Sequence, residues 1–478
     1  MLIDFSKTRQ LPAFDICIIG AGPAGITLAT KLQSTGRKIG LIEAGGLEFS
    51  EKSQSLYRTE SVGRNLYAEL SRLRYFGGTS NHWSGRCRPF VPEDFKPNHI
   101  GDLPGWPITF DEFNHYLPEA MKIVDLPESG FFKTATRPFT GREFESDEHA
   151  LSPPTRFATK YLQEIQQDAN ITLVLNCNLV DLAFDPASGA VTQAIVSDYE
   201  KKRSAIEAKT FVLAMGAIEN SRLLLNSASL MSLAELKAMV GVGFMEHMNV
   251  EMGKFILRGE SDWDSGGYFT SAAFVEEQHI GRGNVTFGVL QEIKSYGRTA
   301  KIKTFLKGLA CRMEITEKIQ FLQSINCPGQ GVITTLLEQA PLKNGSRISL
   351  SDQTDFLGLK KARIDWIVSD DDIRTIRTIG KEAAKAFARS GLGLVKLHPY
   401  MYNDDEFIPL SPHAHHMGGT RMSATPAGGV VDTNLKVFGT RNLYVAGSSV
   451  FPTGGGGNPT MPLLQLALRL SEHLQSTL

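Results

Sequence analysis

Four side chains near the C-terminus are of types that could act together on a substrate proton. His413, His415 and His416 lie close together, and Asn458 follows the four consecutive glycines 454–457. A metal site would need two histidines at i,i+2 or i,i+4 spacing together with carboxylate or thiolate ligands. His413 and His415 have the first spacing, but no third ligand is evident. A histidine in a glycine-flanked loop is instead suited to general base catalysis, so we predict a base and no metal.

The three histidines are not equivalent. His415 and His416 are adjacent, so in a regular element their side chains point to different faces. His415 is interpreted as a neighbour that shapes a pocket, and His413 as a structural histidine. The four glycines are predicted to bring Asn458 and the last helix close to a ligand, without side chains in the substrate's way.

Composition narrows the class of protein. The chain has 478 residues, enough for a large core and more than one domain. Its formal net charge is −1, so the sequence shows no excess of basic residues for binding nucleic acid or a membrane surface. No run of apolar residues is long enough to span a membrane, and the N-terminus lacks a signal-peptide pattern. Five cysteines without a CxxC spacing favour reduced thiols. We therefore predict a cytoplasmic protein.

The first fifty residues have the pattern of a nucleotide-binding β-α-β unit. The apolar run 16–19 reads as a buried parallel strand, and Gly20, Gly22 and Gly25 follow it as G-x-G-x-x-G before a predicted helix. Gly20 suits a tight turn, Gly22 a close approach to a pyrophosphate, and Gly25 close packing of helix on strand. Glu43 ends the second predicted strand, where a carboxylate can bind an adenosine ribose. The unit therefore predicts a dinucleotide site.

The remaining chain alternates between two kinds of structure. The α/β pattern returns after a proline-rich and aromatic stretch, and partly alternating strands with one long amphipathic helix then suggest an antiparallel sheet. The predicted fold is α/β with an α+β second lobe. It comprises a Rossmann-like domain at 1–95, 152–250 and 411–478, a cap at 96–151, and a substrate domain at 251–410.

Several motifs together resemble one known family. They are the opening GxGxxG with Glu43, then "GGTSNHW", "GAIENSRLLL", "VGVGFMEHMN" and the tail from "HHMGGTRM" to "NPT". The sequence resembles the glucose–methanol–choline (GMC) oxidoreductases over most of its length, and is least similar to them at about 255–400. The resemblance is nearer the pyranose oxidase and fructose dehydrogenase branches.

The resemblance implies a flavin-dependent alcohol oxidase or dehydrogenase. By the family pattern, the histidine that precedes a Gly-Thr is the catalytic base, and "HMGGT" aligns it to His416. The second catalytic position precedes a proline and falls on Asn458. Hydride passes to flavin N5 while His416 takes the hydroxyl proton, and Asn458 binds the substrate oxygen.

The resemblance also implies the cofactor and its contacts. FAD is the expected cofactor, and His82, which precedes a tryptophan, is a candidate for covalent attachment to the flavin. The expected cofactor-binding residues are Gly20, Gly22, Gly25, Glu43, Gly78, Asn81, His82, Val180 (through its backbone), Gly447, Asn458, Pro459 and Thr460.

Other functions stay open on the sequence alone. The same scaffold also serves redox-neutral lyases or cyclases, and a flavin subunit of an electron-transfer complex is a third reading. The favoured substrate is a small-molecule alcohol, namely a sugar, glycoside or other polyol. The electron acceptor could be O2, a quinone or a redox protein.

Overall fold

The fold is described from a computed structural model of the chain. It describes residues 1–8, 10–127, 130–133, 139, 142–146, 148–258, 267–290 and 330–477. Strands and helices are numbered below along the chain, within these ranges.

The largest sheet is of the nucleotide-binding type. Its spatial order is β1-β9-β3-β2-β12-β11-β10, with β21 also paired to β12. The pairs from β1 to β12 and the β12–β21 pair are parallel, and β10, β11 and β12 pair antiparallel. The strands are β1 Leu2–Asp4, β2 Phe14–Ile19, β3 Ile39–Ile42, β9 Ile171–Leu175, β10 Asn178–Asp185, β11 Ala190–Ser197, β12 Arg203–Leu213 and β21 Leu443–Val445.

The central strands of this sheet are buried on both faces. Residues 16–18 of β2 and 211–213 of β12 have no solvent exposure, as near-continuous apolar runs require. Because these strands are parallel, their carboxyl ends lie at one edge of the sheet, where ligands bind in open α/β folds. This edge positions the site described below.

The second sheet is antiparallel and packs on its own core. Its order is β19-β13-β16-β15-β14-β7, and β20 pairs with β13. Its strands are β7 Phe144–Ser146, β13 Met248–Leu257, β14 Gly267–Thr270, β15 Gly283–Val289, β16 Gln330–Leu337, β19 Gly393–Leu397 and β20 Ser411–Pro412. A long helix covers it through Ile376, Ile379 and Ala383, which are fully buried.

Two small sheets and a set of helices complete the described chain. The order of one small sheet is β17-β18-β4 and that of the other is β5-β8-β6. Their strands are β4 Glu60–Gly63, β5 Arg86–Cys87, β6 Phe132–Lys133, β8 Glu148–Leu151, β17 Arg347–Thr354 and β18 Lys360–Trp366. The α-helices are α1 Pro23–Leu32, α2 Glu51–Gln54, α3 Phe110–Asn114, α4 Leu117–Ile123, α5 Phe157–Gln167, α6 Ala217–Asn226, α7 Ala234–Met239, α8 Ala272–Gln278, α9 Asp370–Arg389 and α10 Thr460–Thr477.

The predicted fold class is confirmed: a Rossmann-like sheet is joined to an antiparallel second lobe. The chain enters the first sheet three times, because β1–β3, β9–β12 and β21 are separated by other elements. The domain boundaries given above stay a prediction, and the parts of them at 259–266 and 291–329 lie outside the described residues.

Candidate active site

The parallel strands end in glycines and one carboxylate at a single edge. Gly20 follows β2, Glu43 follows β3 and Gly447 comes shortly after β21. Gly20 and Gly447 both have φ near 107°, a backbone conformation that L side chains rarely adopt. The turn residues predicted from sequence are therefore brought together by the topology of the sheet.

Two glycines of the first turn lack a side chain for different reasons. A Cβ on Gly25 would lie 1.9 Å from the carbonyl oxygen of Gly20, so α1 can pack on the turn only without a side chain there. A Cβ on Gly22 would meet no protein atom within 4 Å. Gly22 is the N-cap of α1 and lines the cavity described below. The packing of the protein therefore does not require a glycine here, and the space beside it opens on the cavity at the helix N-terminus.

Glu43 is tied to the same turn. Its carboxylate accepts the backbone N–H of Ala21 at 3.0 Å and of Gly45 at 2.8 Å, one on each oxygen. The side chain is buried. These bonds fix the carboxylate between the ends of β2 and β3, where the sequence predicted it.

A second glycine loop packs against the first. Gly77 and Gly78 both have positive φ, and a Cβ on Gly78 would approach the Cα of Gly22 to 3.1 Å. Asn81 donates through Nδ2 to the carbonyl of Phe76 at 2.9 Å, which closes the loop. His82 follows, and burial lowers the pKa of its imidazole. The loop thus forms a wall of the same site.

The elements enclose a cavity of about 440 Å³. Three predicted residues, Gly25, Asn81 and Val180, do not line it, although Val180 is next to the lining residue Leu179. The predicted residues that do line it are Gly20, Gly22, Glu43, Gly78, His82, Gly447, Asn458, Pro459, Thr460 and His416. His413 and His415 line it as well.

The histidine segment runs antiparallel to the start of β13. Pro412 pairs with Met248 and Met417 pairs with Met245, which places His247 beside the histidines. Between these two pairings Ala414 has φ 61°, an unusual value for alanine that bends the segment. This bend sets which histidine faces the cavity wall near Asn458.

A chain of hydrogen bonds fixes the tautomer of His415. The Gly455 carbonyl can only accept, so Nε2 of His247 donates to it at 2.7 Å. In a neutral His247, Nδ1 is then an acceptor and receives Nδ1–H of His415 at 2.8 Å. Nε2 of His415 consequently carries no proton and accepts a hydrogen bond from Nδ2–H of Asn458 at 3.0 Å. The basic nitrogen of His415 therefore faces Asn458.

Burial keeps both rings neutral. It lowers the pKa of His247 to about 4 and holds the pKa of His415 well below its usual range, with a further contribution from the neighbouring histidines. The charged form of an imidazole is disfavoured in an apolar environment. His415 is thus unprotonated at neutral pH, and because burial lowers the pKa of His416 as well, geometry rather than pKa distinguishes the two histidines.

The predicted pair of His416 with Asn458 is not what the geometry shows. Nε2 of His416 points to Glu246, with Oε2 at 3.5 Å, and to the Ser71 hydroxyl at 3.4 Å. Burial lowers the pKa of His416 to about 3. Because adjacent residues point in different directions, the contact with Asn458 falls to His415 instead.

The four glycines also differ from the prediction. A Cβ on Gly456 would lie 1.7 Å from the Phe269 ring, and one on Gly457 would lie 2.9 Å from the Arg88 side chain. A Cβ on Gly455 would crowd Phe90 at 2.7 Å, and one on Gly454 would reach Met417 at 2.9 Å. The run is needed because it threads between packed protein side chains, rather than because it clears space for a substrate.

Sequence reasoning missed two residues of the site, Glu246 and His247. Oε1 of Glu246 accepts the backbone N–H of His415 at 2.7 Å, of His247 at 2.9 Å and of His413 at 3.3 Å. One carboxyl oxygen thus joins the two segments that carry the histidines. Both residues stand in the motif "VGVGFMEHMN", where two polar residues within an otherwise apolar stretch were the available signal.

The Glu246 carboxyl predicts a pH effect on stability. Burial raises its pKa from 4.5 to about 8, so the folded state holds a proton that the unfolded state releases. The free energy of unfolding should fall as pH rises between these two values, by an amount on the order of a few kcal/mol. Thermal unfolding across this window should show a smaller decline in Glu246→Gln, and an unchanged decline would contradict the assignment.

Neither a metal cluster nor a membrane-spanning helix occurs among the described residues. Within them, no group of three or more His, Cys, Asp or Glu side chains is arranged to hold a metal ion. No described helix is both long enough and apolar enough to cross a membrane.

Comparisons with known proteins agree on one class. The model of the GMC oxidoreductase C-terminal domain matches residues 341–467. The chain is 23% identical to 2-methyl-1,2-propanediol dehydrogenase of Mycolicibacterium austroafricanum, covering 98% of this chain and 96% of the relative. It is 22% identical to the fructose dehydrogenase large subunit of Gluconobacter japonicus, covering 97% and 98% respectively.

A solved structure with the same fold is pyridoxine 4-oxidase from Mesorbium loti. It has a TM-score of 0.61 and 18% identity, covering 97% of this chain and 99% of that one. The fold and the glycine-lined cavity define a flavoprotein of the oxidoreductase class. Residues 341–467 match the GMC oxidoreductase family model, and over nearly its whole length the chain is similar to proteins named as dehydrogenases.

The residues present fit the flavin dinucleotide that this family binds. Gly22 gives backbone N–H groups at a helix N-terminus with no Cβ in the way, which suits a pyrophosphate. The loop of Gly78 closes over this turn, and Glu43 is held at the end of β3. The site thus has the cradle that FAD requires.

Proposed function

We propose that the protein oxidises an alcohol to a carbonyl compound with FAD, and that His415 is the general base. The observation that carries this proposal is the 3.0 Å contact between Asn458 Nδ2 and the bare Nε2 of His415 at the cavity wall. The family supports alcohol oxidation in general. The choice of His415 over the predicted His416 is our own and rests on this contact.

The residues divide the work of the reaction. When bound, the flavin accepts a hydride, and with it two electrons, from the carbinol carbon. His415 Nε2 takes the hydroxyl proton, so that the C–H and O–H bonds break and a C=O bond forms. Asn458 has a second N–H with which it can donate to the substrate oxygen and orient it. A positioned base of this kind typically contributes about 10²–10⁴ in rate.

The substrate is proposed to be a polyol or sugar. Two relatives that match nearly the whole chain are named for a propanediol and for fructose. A further full-length relative, from Streptomyces lividus, is named 6'''-hydroxyparomomycin C oxidase, at 21% identity. All three names denote hydroxylated substrates, which supports this class without choosing within it.

An anaerobic screen tests the proposal. Purified holoenzyme is mixed with sugars, glycosides, 1,2-diols, aryl alcohols and aliphatic alcohols, and loss of the flavin absorption band is followed. We expect bleaching by at least one polyol, together with formation of the matching carbonyl product. Conversion of a substrate without any bleaching would instead favour a redox-neutral lyase or cyclase.

The electron acceptor is tested on the reduced enzyme. Among the relatives, one is named as the large subunit of a dehydrogenase and another as an oxidase. Reoxidation by O2 would define an oxidase. Reoxidation only by a quinone or a redox protein would fit a dehydrogenase or a flavin subunit of a larger complex. The cytoplasmic location stays a prediction.

Covalent attachment through His82 has its own test. His82 lines the cavity and its ring is kept largely neutral by burial, as a nucleophilic imidazole requires. If the bond exists, acid precipitation should leave the yellow colour in the protein pellet, and His82→Ala should release it to the supernatant. Full release from the unmodified protein would contradict the attachment.

A further inference from the structure

The hydrogen-bond chain that fixes His415 extends beyond the cavity to a buried carboxyl. Nε2 of His247 donates to the carbonyl of Gly455, and the N–H of Gly455 donates to Oε1 of Glu338 at 3.1 Å. Glu338 follows β16 and is 3% exposed. It lies in the wall of a second, smaller cavity and does not line the one that holds His415.

Gly455 needs such an anchor. It lies within four consecutive glycines and has φ 58°, so no side chain of its own limits its backbone, and only packing against residues such as Phe90 and its hydrogen bonds hold it. The direction of its carbonyl nevertheless decides which nitrogen of His247 carries the proton. The bond from the Gly455 N–H to Glu338 holds the preceding peptide group, and through the φ of 58° it contributes to the direction of the carbonyl.

A change in the direction of the Gly455 carbonyl would alter the tautomer of His247 and, through it, that of His415. If the Gly455 carbonyl turned away, His247 would no longer be required to donate from Nε2 and could place its proton on Nδ1. His415 would then lose the acceptor for its Nδ1–H and would favour the tautomer protonated on Nε2. That tautomer cannot accept a substrate proton at the nitrogen beside Asn458.

We propose that Glu338 is a positioning residue for the reaction: by holding Gly455, it selects the tautomers of His247 and His415 that leave Nε2 of His415 basic. This rests on the proposed function of His415. Glu338 touches neither substrate nor cofactor, and acts through Gly455 and His247.

The surroundings of Glu338 are consistent with an anchor. The Asp94–Arg282 ion pair, with 2.6 Å between Oδ1 and Nη1, is buried beside it, and the Arg282 charge acts on the Glu338 carboxyl against the effect of burial. Burial, with the Asp94 charge, raises the pKa of Glu338 to about 7. Both the neutral and the ionised carboxyl can accept the Gly455 N–H, so a glutamine can replace it in this role.

Glu338→Leu and Glu338→Gln form the first test. We expect Leu to slow anaerobic flavin reduction by about ten- to a hundredfold, with flavin content and substrate affinity near those of the unmodified enzyme. Gln keeps an oxygen acceptor and should restore most of the rate. Equal loss in both variants would overturn the positioning role, as would an unchanged rate in Glu338→Leu.

Asp372→Leu is a matched control. Asp372 is also buried, and it accepts the N–H of Ala340, two residues beyond Glu338, at 3.1 Å and of Ser369 at 2.9 Å. Among the described residues, no hydrogen bond joins Asp372 to His247. We expect this variant to lose thermal stability while its reduction rate stays within a few-fold of normal.

A double-mutant cycle with His247→Ala separates positioning from general damage. If Glu338 acts only through His247, then Glu338→Leu should add little further loss in the His247→Ala background. Additive losses would overturn the proposal. If flavin reduction in His415→Ala proceeds at the normal rate, the proposed function itself is wrong. If reduction is slow in His415→Ala but normal in Glu338→Leu, only the positioning role of Glu338 is wrong.

Discussion

His415→Ala should slow anaerobic flavin reduction by about 10²–10⁴ while the flavin stays bound. The reason is that Nε2 of His415 is the bare imidazole nitrogen that meets Asn458, and no other described group is hydrogen-bonded at that position. The measurement is stopped-flow reduction with a substrate found in the anaerobic screen. Flavin content per protein serves as the control for folding.

His416→Ala is the discriminating partner of this variant. Nε2 of His416 faces Glu246 and Ser71, so its removal should cost less than about tenfold in the reduction rate. Reversal of the two results, with a severe loss in His416→Ala and a mild one in His415→Ala, would return the base to the position that the family pattern favoured. Each variant has the same size change, which makes the comparison direct.

Gly22→Ala should yield folded protein that has lost most of its flavin. Gly22 has φ −85°, which alanine adopts without strain, and a Cβ there would meet no protein atom within 4 Å. The new methyl group instead projects at the helix N-terminus where we expect the pyrophosphate to bind. We expect flavin occupancy to fall at least about tenfold, measured by absorbance after purification, with the melting temperature of flavin-free protein unchanged.

Gly25→Ala should fail in a different way. Its Cβ would lie 1.9 Å from the Gly20 carbonyl, so α1 must move away from the turn. Overpacking of this kind costs about 1–3 kcal/mol or more, and flavin-free protein should melt earlier. If Gly22→Ala destabilised flavin-free protein as much as Gly25→Ala does, the assignment of Gly22 to the cofactor would be wrong.

Local patterns carried most of what the sequence could predict. The strand, glycine turn, helix and Glu43 of the opening unit are close in sequence, and their spacing alone implies their geometry. The long helix α9 was also predictable, because acidic residues occupy its first turn and apolar residues recur along one face.

Which of His415 and His416 contacts Asn458 was beyond such patterns. It depends on the positive φ of Ala414 and on pairing with the segment of Met245 and Met248, neither of which a spacing rule contains. The link from Glu338 through Gly455 to His247 joins three separate parts of the chain. The use of the four glycines was misjudged for the same reason, since the ring that excludes a Cβ at Gly456 belongs to Phe269 in the second lobe.

The central sheet carries a kinetic consequence for biosynthesis. β12 pairs with β21, so Phe211 contacts Leu443 although most of the second lobe's sequence lies between them. β1 likewise pairs with β9, which is synthesised much later. Pairings between such distant segments are slow to form, and they leave strand edges exposed in the meantime. During synthesis, the largest sheet stays incomplete until β21 has left the ribosome, and Asn458 follows later still. We therefore expect refolding to be slow and aggregation-prone, and added flavin to raise its yield only after these last segments have docked.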